Sequence, residues 1–406
     1  KGKGKLQTYW LSMHSSAGTA SVSSGSRTES ESTDSDDGSV DDDGPCNALV
    51  GIQAGDLSSK DRRLIAWNVA VLSHSLKAVI KQRDSVQSGK SSSTTIEAEA
   101  VSQLKSYVTG IATMYRDNPF HNFEHASHVT MSVTKLLSRV VTTDDEQAGG
   151  SGFTNALDSD ALTKFAATFS ALIHDVDHTG LPNARLVEEE TPVAIMYDRK
   201  SVAEKNSIAI AWEFLLRPEF CELRACIGEL ERFHDLVTDA VMATDIADKD
   251  LKEERNARWD TVFSSESAHK TEDVNELKAT IVLNHMMQAA DVSHTMQHWH
   301  IYRKWNERLF HENWKAYTAS RAETNPVDTW YKSEMGFFDF YIIPLAKMLN
   351  ECGVFGVSSD EYLEYALENR REWELKGKEV VEMMVDKYCR DVPDDEEKKA
   401  SDLCYN

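Results

Sequence analysis

The sequence predicts an all-α fold. Apolar side chains recur at helical spacing over most of its length, and alternating apolar/polar runs, the mark of strands, are scarce. Only 8 prolines interrupt 406 residues, so few positions force a helix to stop. No internal repeat is present.

The elements follow in order. A first helix over 61–83 is expected from Leu64, Ile65, Trp67, Val69, Leu72, Leu76, Val79 and Ile80, with Ser58 or Ser59 as its cap. A Ser/Gly-rich break at 86–95 separates it from a second helix over 96–115, which Asn118-Pro119 closes off. Helical spacing continues over 126–141, and the acidic, glycine-rich 142–153 reads as a loop. The strongly apolar helix 160–173 delivers His174-Asp175 at its C-terminal end. Further helices are expected over 201–216, 230–244, 275–291, 300–320, 336–350 and 359–388.

Composition narrows the class. A chain of this length holds two domains, or one large domain plus linkers, and 41% hydrophobic content is enough for a sizeable core. Lys+Arg 44 against Asp+Glu 67 gives a net charge of -23, which argues against a surface that neutralises nucleic-acid phosphates. Six cysteines without CxxC spacing read as reduced thiols in a cytosolic compartment. No apolar run approaches the roughly 18 residues of a membrane span. With no signal peptide and no initiating methionine, a fragment of a longer chain is expected, and a membrane anchor in a missing N-terminal part stays open. Residues 14–56 are read as a disordered linker rich in Ser and Asp, because so few apolar side chains cannot offset the entropy of ordering. Residues 57–390 form the folded domain, and 391–406 an acidic tail.

Two segments concentrate the chemistry. His121-Asn122-Phe123-Glu124-His125 and His174-Asp175-Val176-Asp177-His178 each pair histidines at i and i+4, one face of a helix. Asp291 adds an acidic ligand inside an apolar helical run. Imidazole nitrogen with carboxylate oxygen is the ligand set of zinc, manganese, iron and, where oxygen predominates, magnesium. The pattern points to a metal-dependent hydrolase. His128, His234, His285, His298 and His311 read as surface or core residues.

The order Tyr115…Asn118-Pro119-Phe120-His121-Asn122…His125-Ala126, then His174 to Gly180, then Ala290-Asp291, resembles class I cyclic nucleotide phosphodiesterases of the HD superfamily. The likeness continues through Met196-Tyr197-Asp198, Ser201-Val202…Glu204, Ala243-Thr244-Asp245-Ile246, Tyr302…Trp305 and Lys332 to Asp339, covering about residues 60–390. It implies a compact bundle of about sixteen helices around a deep pocket with two metals. By this resemblance His125, His174, Asp175 and Asp291 match the ligands of a first metal, with zinc expected there. Asp175 bridges to a second, magnesium or manganese, whose remaining ligands are mostly water. A hydroxide held between the metals attacks the cyclic phosphodiester, and His121 matches the general acid that protonates the departing 3′ oxygen. His178, Glu204 and Asp245 match supporting positions. Glu334, Phe337, Tyr302 and His294 match the substrate pocket, with Phe337 as purine clamp. The implied substrate is cAMP or cGMP and the product a 5′-monophosphate. No nucleic-acid partner is expected, and a homodimer stays open.

Residues 1–11, KGKGKLQTYWL, resemble the closing stretch of class III nucleotidyl cyclase domains. The resemblance implies that 1–13 is the remnant of an upstream cyclase domain, a partner in the same full-length chain.

This sequence departs from the phosphodiesterase pattern at several positions. Glu334 stands where the family reads the purine with glutamine. An ionised carboxylate only accepts hydrogen bonds, whereas a protonated one regains a donor, so selectivity that depends on pH is one expectation. Asn206 and Ser207 replace a histidine pair, His294 replaces a small polar residue, and the region 310–331 is short, which implies a reduced lid. Two alternatives remain open: an inactive nucleotide-binding module regulating a cyclase, and another HD-type nucleotide phosphohydrolase.

Overall fold

Every regular element among residues 57–88, 98–140, 160–263, 272–355 and 360–389 is helical in the computed structural model. These are the residues the structure describes. The readings of 1–13, 14–56, 142–153 and 391–406 fall outside them.

Helix α1 (Ser59–Ser88) starts at Ser58, whose Oγ accepts from the Asp61 amide at 3.1 Å while donating to the Asp61 carboxylate at 2.6 Å. This reciprocal cap satisfies an end that the helix itself leaves open. Helices α2 (Ala98–Met114), α3 (Phe123–Ser138) and α4 (Ala161–Ile173) follow. Asn122 caps α3 through the amide of His125 at 3.1 Å, and Asp160 caps α4 through the amides of Leu162 and Thr163. The short helices α5 (Asn183–Glu188) and α6 (Pro192–Met196) lead to α7 (Val202–Leu215), then α8 (Cys221–Ile227) and α9 (Leu230–Met242). The C-terminal half comprises α10 (Lys249–Phe263), α11 (Glu272–Asp291), α12 (Trp299–Thr318), α13 (Pro326–Phe337), α14 (Ile343–Glu351) and α15 (Asp360–Tyr388).

Two apolar cores organise these helices. The first gathers Leu72 and Leu76 of α1, Tyr107 of α2, Phe165 and Phe169 of α4, and Phe233 of α9. Tyr107 stacks on Phe169 with centroids 5.5 Å apart, and its hydroxyl donates to the Ala211 carbonyl at 2.9 Å, so the buried phenol is not left unpaired. The second gathers Met286, Tyr302, Phe310, Phe338 and Trp373. Each such side chain contributes about 1.5–3 kcal/mol by leaving water.

Helices α3 and α4 belong to both cores. Ala126 and Phe169 face the first, while Val129, Val133, Ala167 and Ala171 face the second. This seam carries His125 near the start of α3 and His174 just past the end of α4.

Some expected boundaries need correction. Helices α5, α6, α8, α10 and α13 were not legible as separate elements. In α10 charged residues dominate, and only Trp259 and Val262 are buried, so periodicity is weak there. The helix expected over 336–350 is continuous with α13 on one side and interrupted by a π turn at Phe338–Ile342 on the other. Pro344, in the first turn of α14, has no amide to donate and crowds the preceding turn, which widens the ladder at that point. The short region 310–331 holds the end of α12 and the start of α13, which Asn325 caps with Pro326 as first residue.

Candidate active site

Four side chains from three elements converge at the seam. His125 Nε2 lies 3.0 Å from Asp291 Oδ1 and 3.6 Å from Asp175 Oδ2. His174 Nε2 lies 3.2 Å from Asp175 Oδ2 and 3.4 Å from Asp291 Oδ1. The donor atoms of His125, His174 and Asp175 all lie within 4.8 Å of one another, close enough to suit a metal, and Asp291 adjoins the two histidines of that group. The tautomers agree. His174 Nδ1 donates to the Ala171 carbonyl at 3.0 Å, leaving Nε2 buried and aimed at the carboxylates, yet off line for a hydrogen bond to either. Burial opposes charge on His174, but Asp175 and Asp291 hold its pKa well above the ordinary value. The carboxylates demand positive charge here, from a proton or a metal ion.

A second carboxylate group borders this centre. Glu204 accepts from Asn183 Nδ2 at 2.8 Å. Burial, then the charges of Asp245 and Asp175, push its carboxyl up to about 7. Asp245 is buried and accepts from the amides of Ala247 and Asp248, both at 3.1 Å. A concentration of acids with no basic side chain hydrogen-bonded to Glu204 among the described residues is chemistry suited to a hard cation with water ligands.

His121 and His178 form the other side. Their rings lie 4.0 Å apart between centroids. Asn118 ties their loops together, donating to the His121 carbonyl at 3.0 Å and the His178 carbonyl at 2.7 Å. His121 Nδ1 is hydrogen-bonded to Glu312 Oε1, and Glu312 Oε2 accepts from the amides of Phe120 at 2.9 Å and His121 at 3.0 Å. Burial disfavours the His121 cation, but the Glu312 carboxylate more than offsets this and raises the pKa to about 9. His178 Nδ1 instead accepts from the Gly180 amide at 3.1 Å, which fixes its proton on Nε2. Burial and the neighbouring His121 push His178 down to about 4. The ligand atoms of His121, His178 and Glu312 lie close enough to suit a metal too. Their Nδ1 atoms are already engaged with Glu312 and Gly180, however, and a hydrogen-bonded proton donor describes the group better.

The positions that depart from the family pattern support the same loop. Ser207 Oγ donates to the Val176 carbonyl at 2.8 Å, and Asn206 Nδ2 to Asp177 Oδ2 at 3.2 Å. Asp177 sits at φ 63, a left-handed conformation that Arg116 and Asn206 hold through its carboxylate. These residues therefore brace the segment bearing His174, Asp175 and His178.

The expected pocket residues divide. Tyr302 is fully buried and donates to Glu334 Oε2 at 2.6 Å, so it stands behind Glu334. Phe337 is partly buried and stacked on Tyr341, centroids 5.4 Å apart. His294, on the turn after α11, packs against Phe120 and Trp305, where burial and then His125 push it down to about 3. Of the histidines read as bystanders, His285 is a core residue that donates to the Ile281 carbonyl and packs on Trp259.

Sequence reasoning missed Glu312. Its signal was present: α12 buries Tyr302, Trp305, Asn306 and Phe310, and Glu312 places a charge within that buried stripe. A carboxylate buried in an apolar stripe needs a partner, and here the partner is His121.

An all-helical scaffold that gathers imidazoles and carboxylates at one seam defines a class, the helical metal-dependent hydrolases. The chain belongs to the 3'5'-cyclic nucleotide phosphodiesterase family, whose sequence profile matches residues 120–355. It is 31% identical over 259 residues to the probable 3',5'-cyclic-AMP phosphodiesterase pde-4 of Caenorhabditis elegans, covering 60% of this chain and 36% of that protein. It is 27% identical over 264 residues to the dual specificity calcium/calmodulin-dependent 3',5'-cyclic nucleotide phosphodiesterase 1C of Mus musculus, covering 62% of this chain and 34% of that protein. The matched part thus spans about a third of these relatives. The phosphodiesterase domain of the RhoPDE fusion protein from the choanoflagellate Salpingoeca rosetta has the same fold. Its TM-score is 0.60 at 20% identity, covering 83% of this chain and 97% of that one. Cys221, Cys226, Cys352 and Cys389 form no disulfide among the described residues. No helix among the described residues is long and apolar enough to cross a membrane.

Proposed function

We propose that this chain hydrolyses the 3′ phosphoester of a 3',5'-cyclic nucleotide, cAMP or cGMP, to the 5′-monophosphate. The observation that carries the proposal is the meeting of His125, His174, Asp175 and Asp291 beside the His121–Glu312 pair. Family membership and the printed activities of the relatives support it.

His125, His174, Asp175 and Asp291 would hold a first ion, zinc by its ligand set, and Asp175 would share a second, magnesium or manganese, near Glu204 and Asp245. Bound metal supplies charge neutralisation at the phosphate and lowers the pKa of the attacking water. His121 does the proton chemistry. Glu312 engages Nδ1 and favours the imidazolium, leaving Nε2–H to protonate the departing 3′ oxygen. His178, neutral with its proton on Nε2, packs against that ring and limits its rotation. Glu334 and Phe337 receive the purine. The resemblance of residues 1–11 to a cyclase terminus supports a full-length protein in which a cyclase supplies the substrate on the cytosolic side.

The test is hydrolysis of both nucleotides by the 406-residue chain with magnesium or manganese, beside His121→Ala and Asp291→Ala. Turnover that chelation and either substitution reduce by at least about 100-fold is expected. Nucleotide binding without turnover would instead identify a regulatory binding module.

A further inference from the structure

We propose that Glu334 makes the choice between purines depend on its proton, guanine being favoured when the carboxyl is ionised and adenine admitted when it is neutral. This rests on the reading of Glu334 as the group that meets the base.

Geometry fixes the direction of every hydrogen bond behind Glu334. Trp330 Nε1–H can only donate, and it donates to Asn306 Oδ1 at 3.1 Å. The Asn306 amide is thereby oriented, so its Nδ2 group donates to the Tyr302 hydroxyl at 3.4 Å. Tyr302 is left to donate its own proton to Glu334 Oε2 at 2.6 Å. The relay runs one way, from Trp330 through Asn306 and Tyr302 to Glu334. Oε2 is therefore an acceptor in both protonation states. When Glu334 carries a proton, that proton sits on Oε1.

The surroundings hold no counter-charge. From α12 the titratable group facing Glu334 is the Tyr302 hydroxyl. α15 turns Trp373 toward Tyr302, whereas its Arg370 and Glu374 pair outward, Arg370 also binding Asp339 of the π turn. Lys378 of α15 lies over the Tyr331 ring. His294 packs on Phe120 and Trp305. Among the described residues no cation pairs with Glu334, which is 6% exposed. Burial accordingly pushes its carboxyl up to about 7, despite the hydrogen bond from Tyr302 that favours the anion.

Each form matches a different base edge. Guanine presents two adjacent donors, N1–H and the N2 amine, to an ionised carboxylate, which only accepts. Adenine presents a donor at N6 beside an acceptor at N1. The neutral acid meets both, Oε2 accepting from N6 and Oε1–H donating to N1. The anion instead sets its lone pairs against adenine N1. A glutamine keeps one donor and one acceptor at every pH and lacks this dependence.

The experiment measures kcat/KM for cAMP and cGMP from about pH 5.5 to 9 in the 406-residue chain, and takes their ratio. Titrations of the catalytic acid and of metal ligands are common to both substrates and cancel in it. The cAMP/cGMP ratio should fall by at least about 10-fold between pH 6 and 8, and by up to about 100-fold if guanine is read by the anion alone, following the ratio of neutral to ionised Glu334. Glu334→Gln should flatten the profile. Tyr302→Phe should move the change to higher pH, because it removes a hydrogen bond that favours the anion; a merely structural role for Tyr302 would leave the midpoint in place. A flat ratio in the unaltered chain, or an equal fall in Glu334→Gln, overturns the proton dependence and leaves the phosphodiesterase proposal standing. Absence of hydrolysis of either nucleotide at every pH overturns both.

Discussion

Glu312 on α12 and His121 before α3 are 191 residues apart in sequence and hydrogen-bonded in the fold, with the amides of Phe120 and His121 donating to the same carboxylate. One side chain therefore sets the loop conformation and the charge on the proposed acid. The two roles separate by substitution. Glu312→Gln keeps an acceptor for the amides and removes the negative charge. It should unfold near the wild-type temperature while kcat falls roughly 100-fold, within the range of general acid catalysis. Glu312→Ala should lose both, because the buried Phe120 amide and the part-buried His121 amide would go unpaired at about 1–3 kcal/mol each. Steady-state kinetics beside thermal denaturation distinguish them. An unchanged kcat in Glu312→Gln would remove Glu312 from the proton pathway.

Gly180 sits at φ 77, where an added Cβ would come within 3.2 Å of Asn118 Oδ1 and 3.4 Å of Glu312 Cγ. Those two residues hold the loops of His121 and His178. Gly180→Ala is expected to cost about 1–2 kcal/mol for the left-handed conformation alone. The displaced Asn118 and Glu312 should lower kcat about 10-fold with a smaller change in KM, since Glu334 and Phe337, the residues proposed to meet the purine, are not touched. Denaturant unfolding and initial rates measure the two effects. A loss confined to stability would mean that Asn118 accommodates the methyl without moving His121.

Much of this was legible in the sequence because it is local. The apolar run of α4 and the Ser58 cap lie within a few residues of what they organise. The i, i+4 histidine pairs, however, do not each share a helix face as expected, because His121 precedes the Asn122 cap of α3 and His174 to His178 follow the end of α4. Helix α10 was not legible, because only Trp259 and Val262 mark a buried face among its charges. The π turn at Phe338–Ile342 depends on how Pro344 fits an already packed helix. The bond between His121 and Glu312 is a tertiary fact, visible beforehand only as a charge in a buried stripe. Tyr302 likewise reads as a pocket residue in sequence, while packing places it behind Glu334. Asn206 and Ser207 read as losses in sequence, yet each binds the loop that carries His174 and Asp175.

Glu334 also leaves a mark on stability that requires no substrate. Its carboxyl stands near 7 in the folded chain against 4.5 for the free group, with burial as the principal cause. A folded value above the unfolded one means that the native state binds the proton more tightly. The corresponding stability is fully present below about pH 4.5 and is lost as pH rises through 7. Above that, the folded chain holds an anion in a nearly dry site. Glu334→Gln removes the titration and keeps the shape, so it should gain stability relative to the unaltered chain as pH rises, by roughly 2 kcal/mol between pH 5 and 8. Urea unfolding of both proteins at the two pH values measures the difference directly. An equal difference at both would mean that water or a cation reaches the carboxylate, and Glu334 would then stay ionised throughout.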